Sequence, residues 1–491
     1  MKVSRIAFVP LLVTVLMLAP FSGSGSDPRE TRRALDSIQP SEVYSTCKIL
    51  ASAEFAGRLT GHAGYSNAAQ WAARKFKEWG LKPMSAAEGY LQGFPAPYTL
   101  VDEADMTLLF QEKGEDGKET VREVKLEADK DFLPLLFTDS GRNEAGMVFA
   151  GWGISAPDLG YDDYAGLEVK GRFVLFFRGT PDPGDRRYED HDQHRVRMKT
   201  ARDKGALGVV YLYPEVSSNP NGDWLQGFTP AEISEKTADL LFKQKGLTAA
   251  QLKKDLGVYK RPLSFDLNAR LRYGVVSRHF PAGLGYNVVG WLEGRDPALK
   301  GECLMFGAHL DHCGRHLGIV YPGANDNASG SATVMEIARA FARLGRKPRR
   351  SVVFVLFGGE EMGLLGSKHF AANIPPQFKS VAAMFNFDMT GAGDGAWCGV
   401  SAEPPALKES LEEADRQVNI LRGVRVIRHV GVRSSDHAPF FLKGIPVASF
   451  GSNGPHLAYH QAGDTIYRIN PDIMADIARV AFLAGLKLAE R

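Results

Sequence analysis

Cysteine is scarce in this 491-residue chain: there are four, Cys47, Cys303, Cys313 and Cys398. No two have C-x-x-C spacing, which excludes a cysteine-based structural zinc scaffold. Disulfide connectivity is not readable from their positions and stays open. An excess of one charge is lacking too, since 59 Lys and Arg face 57 Asp and Glu. With no basic block and no basic–aromatic interleaving, nothing points to nucleic acid or another polyanionic partner. Internal repeats are absent, and low complexity is confined to the Gly/Ser stretch 22–26. Apart from one N-terminal segment there is no apolar run long enough to span a bilayer, so no membrane span is expected in the mature chain.

What is present describes a folded, exported protein. Hydrophobic residues make up 44% and charged residues 24%, enough apolar material for a full core and too much for disorder. The length suggests two domains plus a targeting segment. Lys2 and Arg5 precede an uncharged, largely apolar run at 6–21, followed by the small residues 22–26. That order is a secretory signal, and Pro10 and Pro20 favour its removal over a membrane anchor. Residues 1–26 are therefore expected to direct the chain to the periplasm or the exterior.

Texture changes along the chain. Residues 40–83 read as mainly helical, with Ala69, Ala72, Ala73, Phe76 and Trp79 at helical spacing and Gly80 as a stop. Between about 89 and 276, strand-like patches (106–110, 146–150, 172–177) alternate with Gly, Pro and Asp turns, and 198–213 reads as a short helix running into a strand. Phe228 and Trp224 in this region suit either a core or a lid surface. From Tyr286 onward, apolar strands at 287–292, 303–307, 351–357, 381–387 and 446–450 alternate with helices at 329–344, 366–372, 404–419 and 471–488. Asn470 is the expected N-cap of the last helix, with Pro471 in its first turn. This alternation predicts an α/β class sheet covered by helices on both faces.

Five polar clusters fall after those strands or at a helix start, where α/β sheets gather ligands. They are His309-Leu310-Asp311-His312, Asn325-Asp326-Asn327, Glu360-Glu361, Asp388, and Tyr459-His460 with Asp464. Each alone reads as a polar loop, an N-cap or a solvated pair. Adjacent carboxylates beside an apolar strand, however, repel and cost desolvation unless a cation neutralises them. Neighbours in an extended segment point apart, so one Glu can bind metal while the other serves as base. His309, Asp326, Glu361, Asp388 and His460 together offer two imidazoles and three carboxylates. Their three negative charges plus a bridging hydroxide balance two divalent cations, and this donor set suits zinc.

The ordered motifs H-x-D, G-A-N-D-N-A-S-G, G-G-E-E-x-G, N-x-D-M, S-D-H-x-P-F and Y-H-x-x-x-D-T closely resemble those of the secreted di-zinc aminopeptidases. These belong to the glutamate carboxypeptidase and transferrin receptor superfamily. The run E-F-A-G-R-L-T-G at 54–61 resembles the family's N-terminal entry, and residues 146–214 resemble its inserted protease-associated (PA) domain. The resemblance implies a zinc-exopeptidase-type mixed β-sheet flanked by helices, built from 27–95 and 275–491, with a mostly-β PA-type insert at 96–274. It implies two zinc ions per chain: His309 and Asp388 on one, His460 and Glu361 on the other, Asp326 bridging. Glu360 would be the general base of a bridging-water mechanism acting on peptide substrates, Asp311 the orienter of His309, and Tyr459 the oxyanion donor. Asn327 matches the position after an often-cis peptide, and Ser435-Asp436-His437 a motif supporting the pocket. His312 departs from the pattern, since many relatives carry Ser there. A glutamate carboxypeptidase-like or dipeptidase activity, with Arg433 as carboxylate reader, is the alternative. A ligand-depleted receptor fits less well, because all five ligand positions are filled.

Overall fold

The computed structural model describes residues 27–85, 89–114, 118–430 and 434–491. The expected leader at 1–26 and Arg433 lie outside the described residues. The larger sheet has nine strands, in spatial order Lys82–Pro83, Leu284–Leu292, Ser351–Phe357, Glu302–His309, Ser380–Phe387, Val447–Ser452, Ala396–Ser401 and Leu421–Ile427, with Leu91–Pro95 also paired to Leu284–Leu292. The four central strands, from Ser351–Phe357 to Val447–Ser452, run parallel and therefore end on one rim. Val352, Phe354 and Leu356 enter the core on one face, while Val353, Val355 and Phe357 enter the core on the other. A strand covered on both sides has no polar face, which is why 351–357 reads as an unbroken apolar run.

Helices Ala63–Glu78, Gly330–Ala342 and Pro471–Glu490 cover the first face. Leu365–Ala372 and Ala438–Leu442 cover the second through Phe370 and Phe440. Asn470 caps the last helix by accepting from the Asp472 amide at 3.1 Å. That helix approaches the sheet closely at Gly485, where any Cβ would run into the Phe306 ring. The mixed α/β fold expected from the sequence is the one formed. Among the described residues no helix is long and apolar enough to cross a membrane, and the four cysteines are buried and free.

A second sheet of eight strands lies between Tyr98 and Phe280, in the order Glu119–Lys125, Tyr98–Lys113, Ser264–Phe280, Gly141–Ala150, Phe173–Phe177, Gly208–Tyr213, Ala231–Ser234 and Phe132–Pro134. It has its own cores on both faces, and Phe228 belongs to one of them. Trp224 instead stacks on His279, ring centroids 4.5 Å apart, at the edge of a groove.

The hairpin Gly314–His316 and Ile319–Tyr321 joins the two sheets, with the Tyr321 hydroxyl donating to Asp129 at 2.6 Å. His316 stacks on Tyr321 (centroids 4.4 Å apart), and neither ring nitrogen has a hydrogen-bond partner. Burial pushes this imidazole down to about 3. The folded state therefore binds fewer protons than the unfolded state below the ordinary histidine range. Stability from this group is intact at neutral pH and is lost as pH falls from about 6.5 toward 3. Between pH 7 and pH 5 the loss is about 2 kcal/mol. A His316→Phe variant, which keeps an aromatic on Tyr321, should shed this part of the acid sensitivity. Urea midpoints at the two pH values should converge relative to wild type, and an unchanged pH response would refute the assignment.

Candidate metal centre

Each cluster singled out in the sequence reaches the rim where the parallel strands end. His309 is the last residue of Glu302–His309, Asp388 directly follows Ser380–Phe387, and Glu360-Glu361 follow Ser351–Phe357 by a Gly-Gly turn. Asp326 sits in the irregular segment Ala324–Ser329 that feeds helix Gly330–Ala342, and the Asp326–Asn327 peptide is cis. His460 lies in the loop between Val447–Ser452 and the last helix.

The side chains meet there. His309 Nε2 lies 3.4 Å from Asp326 Oδ1 and 3.3 Å from Asp388 Oδ1. His460 Nε2 lies 3.2 Å from Asp326 Oδ2 and 3.1 Å from Glu361 Oε2. Asp326, 3% exposed, thus places one oxygen toward each imidazole. Burial works against protonating His309, but Glu360, Asp388 and Asp326 outweigh it and hold the ring well above its ordinary range. Burial raises the Glu361 carboxyl, yet His460 and His312 bring it well below the usual range. Glu360 behaves oppositely. Burial lifts it well above the carboxylate range against the pull of His309, and the charges of Glu361, Asp436 and Asp388 add to the lift.

These residues fit cations. His460 Nε2 is buried between two carboxylate oxygens yet makes no hydrogen bond to either. His309, Asp326 and Glu361 bring one donor atom each within 4.8 Å of one another, and so do His309, Glu360 and Asp388. Packing this many carboxylates together in a buried site is costly unless positive charge enters.

Buried polar contacts aim the loops. Asp464 accepts from the Asn325 amide at 3.0 Å and from the Asp326 amide at 3.0 Å. Asn327 donates to the Phe387 carbonyl at 2.9 Å and accepts from the Met389 amide at 3.2 Å, tying the Asp326 segment to the Asp388 turn. Arg58, fully buried, donates to the carbonyls of Leu310, Leu50, Pro322 and Gly323 at 2.6–2.8 Å. The E-F-A-G-R-L-T-G run is thus a brace for the His309 and Asp326 loops. Asn386 donates to Ser435 at 3.0 Å, so the S-D-H segment packs beside Asp388.

Asp311 and Tyr459 sit differently from a simple reading of the motifs. The oxygen nearest His309 Nδ1 is the Asp311 carbonyl at 3.2 Å, with its carboxylate at 3.8 Å. That carboxylate instead accepts from the Glu360 amide at 3.2 Å. Tyr459 stacks on His460, centroids 4.0 Å apart, and is 51% exposed at the mouth of the site. His312, for which the sequence suggests no role, donates from Nδ1 to Glu361 Oε1 at 2.9 Å. Its position one residue after the H-x-D motif was the only available signal. A cleft of about 440 Å³ opens from the cluster, lined by Glu360, Glu361, Tyr459 and His460 on one side and by Arg178 and Lys253 of the second sheet's region on the other.

Residues 287–484, which hold every residue of the cluster, match the family described as Peptidase family M28. That segment is similar to the family's peptidase region. It is 30% identical over 340 residues to an aminopeptidase of Pseudomonas aeruginosa (strain UCBPP-PA14), covering 66% of this chain and 56% of that protein. It is 36% identical over 176 residues to leupeptin-inactivating enzyme 1 of Streptomyces exfoliatus, covering 35% of this chain and 37% of that one. The chain thus spans about half or less of the length of these relatives. Among solved structures, a peptidase M28 precursor from Shewanella amazonensis SB2B superposes with a TM-score of 0.67 over 94% of this chain and 97% of that one, at 19% identity. At that identity the likeness establishes a shared fold.

Proposed function

We propose that this chain is an exported, zinc-dependent aminopeptidase that removes N-terminal residues from peptides. The observation carrying this reading is the Asp326 carboxylate set between His309 (3.4 Å) and His460 (3.2 Å), with Asp388 and Glu361 closing the two halves. That arrangement suits two zinc ions, one held by His309 and Asp388, the other by His460 and Glu361, with Asp326 shared. Bound zinc would supply Lewis acidity to polarise the scissile carbonyl and lower the pKa of the attacking water.

The protein's own groups do the rest. Glu360 takes the proton from water and returns it to the leaving amine. The Asp311 carboxylate fixes the backbone of Glu360. Tyr459, at the cleft mouth, offers its hydroxyl to the oxygen that becomes negative in the tetrahedral intermediate. We read residues 96–274 as a PA-type insertion that walls the cleft, with 1–26 as the export signal.

A carboxypeptidase or dipeptidase needs a cation free to read a substrate carboxylate. Among the described residues, the cations lining the cleft, Arg178 and Lys253, are held by Asp192 (3.7 Å) and Glu235 (2.7 Å). The aminopeptidase reading is therefore preferred. Aminoacyl p-nitroanilides should be cleaved about 100-fold faster or more than their N-acyl counterparts, since blocking removes a group the site is built to bind. Preference for acyl-blocked peptides with a free C-terminus would instead support the carboxypeptidase. No hydrolysis by zinc-loaded protein would reject both.

A further inference from the structure

The imidazole of His460 is held from outside the M28-matched region. Its Nδ1 lies 2.9 Å from the carbonyl of Ser218, and the Ser218 amide donates to the His460 carbonyl at 2.7 Å. Cys313 also donates to the Ser218 carbonyl, at 3.3 Å. Next along the chain, Gln461 donates to Glu215 at 3.1 Å and to the Val216 carbonyl at 3.3 Å. A loop leaving strand Gly208–Tyr213 of the second sheet is thus laced to the His460 loop along residues 215–218.

This loop is anchored at its base by one buried acid. Glu232, fully buried on the neighbouring strand Ala231–Ser234, accepts from the Ser217 amide through Oε1, while its Oε2 has no partner. A buried carboxyl with an empty acceptor is expensive to keep unless it holds something in place. Val216 packs with Leu133, Cys313 and Tyr321, so the apolar side of the loop is seated as well. With the ring's Nδ1 side fixed by a carbonyl, Nε2 can only face Asp326 and Glu361. That is the tautomer and orientation a zinc-binding imidazole requires, and partners of this kind tune metal affinity.

We propose that Glu232 is a positioning residue for one of the two zinc ions, acting through the Ser217–Ser218 backbone on His460. The proposal rests on the two-zinc reading and extends it: affinity at the His460–Glu361 half is set by the second sheet, and the His309–Asp388 half is not. Burial lifts the Glu232 carboxyl to about 8, so near neutral pH it is an uncharged acceptor that Gln can imitate.

The test is competition of stripped full-length protein with a chromophoric chelator for zinc, comparing wild type with Glu232→Leu, Glu232→Gln and Gln461→Ala. Glu232→Leu should weaken one of the two sites by about 10- to 100-fold and leave the other within about twofold. Glu232→Gln should stay near wild type. Gln461→Ala, at the part-exposed edge, should weaken the same site by a smaller factor, and it serves as the measurement if Glu232→Leu does not fold. Unchanged affinities in the folded variants would overturn the role of Glu232 and its loop. Wild-type protein that takes up no second zinc would overturn the two-zinc reading itself, a separable result.

Discussion

Replacing Glu360 with Gln is expected to lower kcat about 1,000-fold or more while zinc content stays at the wild-type value. The two adjacent glutamates are alike in sequence, and the structure separates them. Glu361 turns toward His312 and His460, with oxygens at 2.9 and 3.1 Å. Glu360 stands on the other side, grouped with His309 and Asp388, its backbone pinned to Asp311. Burial raises both carboxyls, and for Glu361 the charges of His460 and His312 outweigh it. Two carboxylates whose surroundings drive their proton affinities apart divide naturally into base and ligand. Gln keeps the size and one acceptor but cannot take a proton, so turnover should fail with binding intact. KM should therefore move far less than kcat. Loss of zinc from the variant would show Glu360 to be a ligand and overturn the division.

The elements most legible in the sequence are those buried on both faces. Residues 351–357 read as a strand to the residue, because every side chain of Ser351–Phe357 is buried and nothing polar interrupts it. Leu421–Ile427 was missed for the opposite reason. It is an edge strand whose Arg422 and Arg425 face solvent, so no apolar signature marks it. Ser264–Phe280 was passed over although Leu267, Ala269, Leu271 and Tyr273 alternate with Arg270 and Arg272. Its 17 residues and a register shift between Asp266 and Arg270 do not resemble an ordinary strand. The five cluster residues are legible because a metal centre of the proposed kind would fix residue type. The groups that aim them were less so. The Ser218 carbonyl comes from 242 residues before His460, and a backbone oxygen carries no residue-type signal. Arg58 is a lone basic residue whose four carbonyl partners exist only in the fold.

Asp326 carries the largest expected effect on the metal centre as a whole. An Asp326→Ala variant should hold at most one zinc per chain at concentrations that saturate wild type, and its kcat/KM should fall by about 10,000-fold or more, beyond the loss expected for Glu360→Gln. The reason is geometric. Asp388 and Glu361 each serve one imidazole, whereas Asp326 presents Oδ1 to His309 and Oδ2 to His460. Among the described residues no other carboxylate lies within 4.0 Å of both imidazoles. In the proposed two-zinc site, cations this close would repel and the shared carboxylate would be the negative charge between them, so its removal would penalise the second ion more than the first. Its placement is also the most supported in the site, through Asp464 on its own amide and Asn327 beside it. Asp326→Asn separates charge from shape, because Asn can keep the same backbone bonds. If charge between the cations is what matters, Asn should lose the second zinc nearly as completely as Ala. Two zinc ions per chain in Asp326→Asn, measured by plasma emission on dialysed protein, would show that the carboxylate is not shared. The two ions would then be held without Asp326 as their bridge.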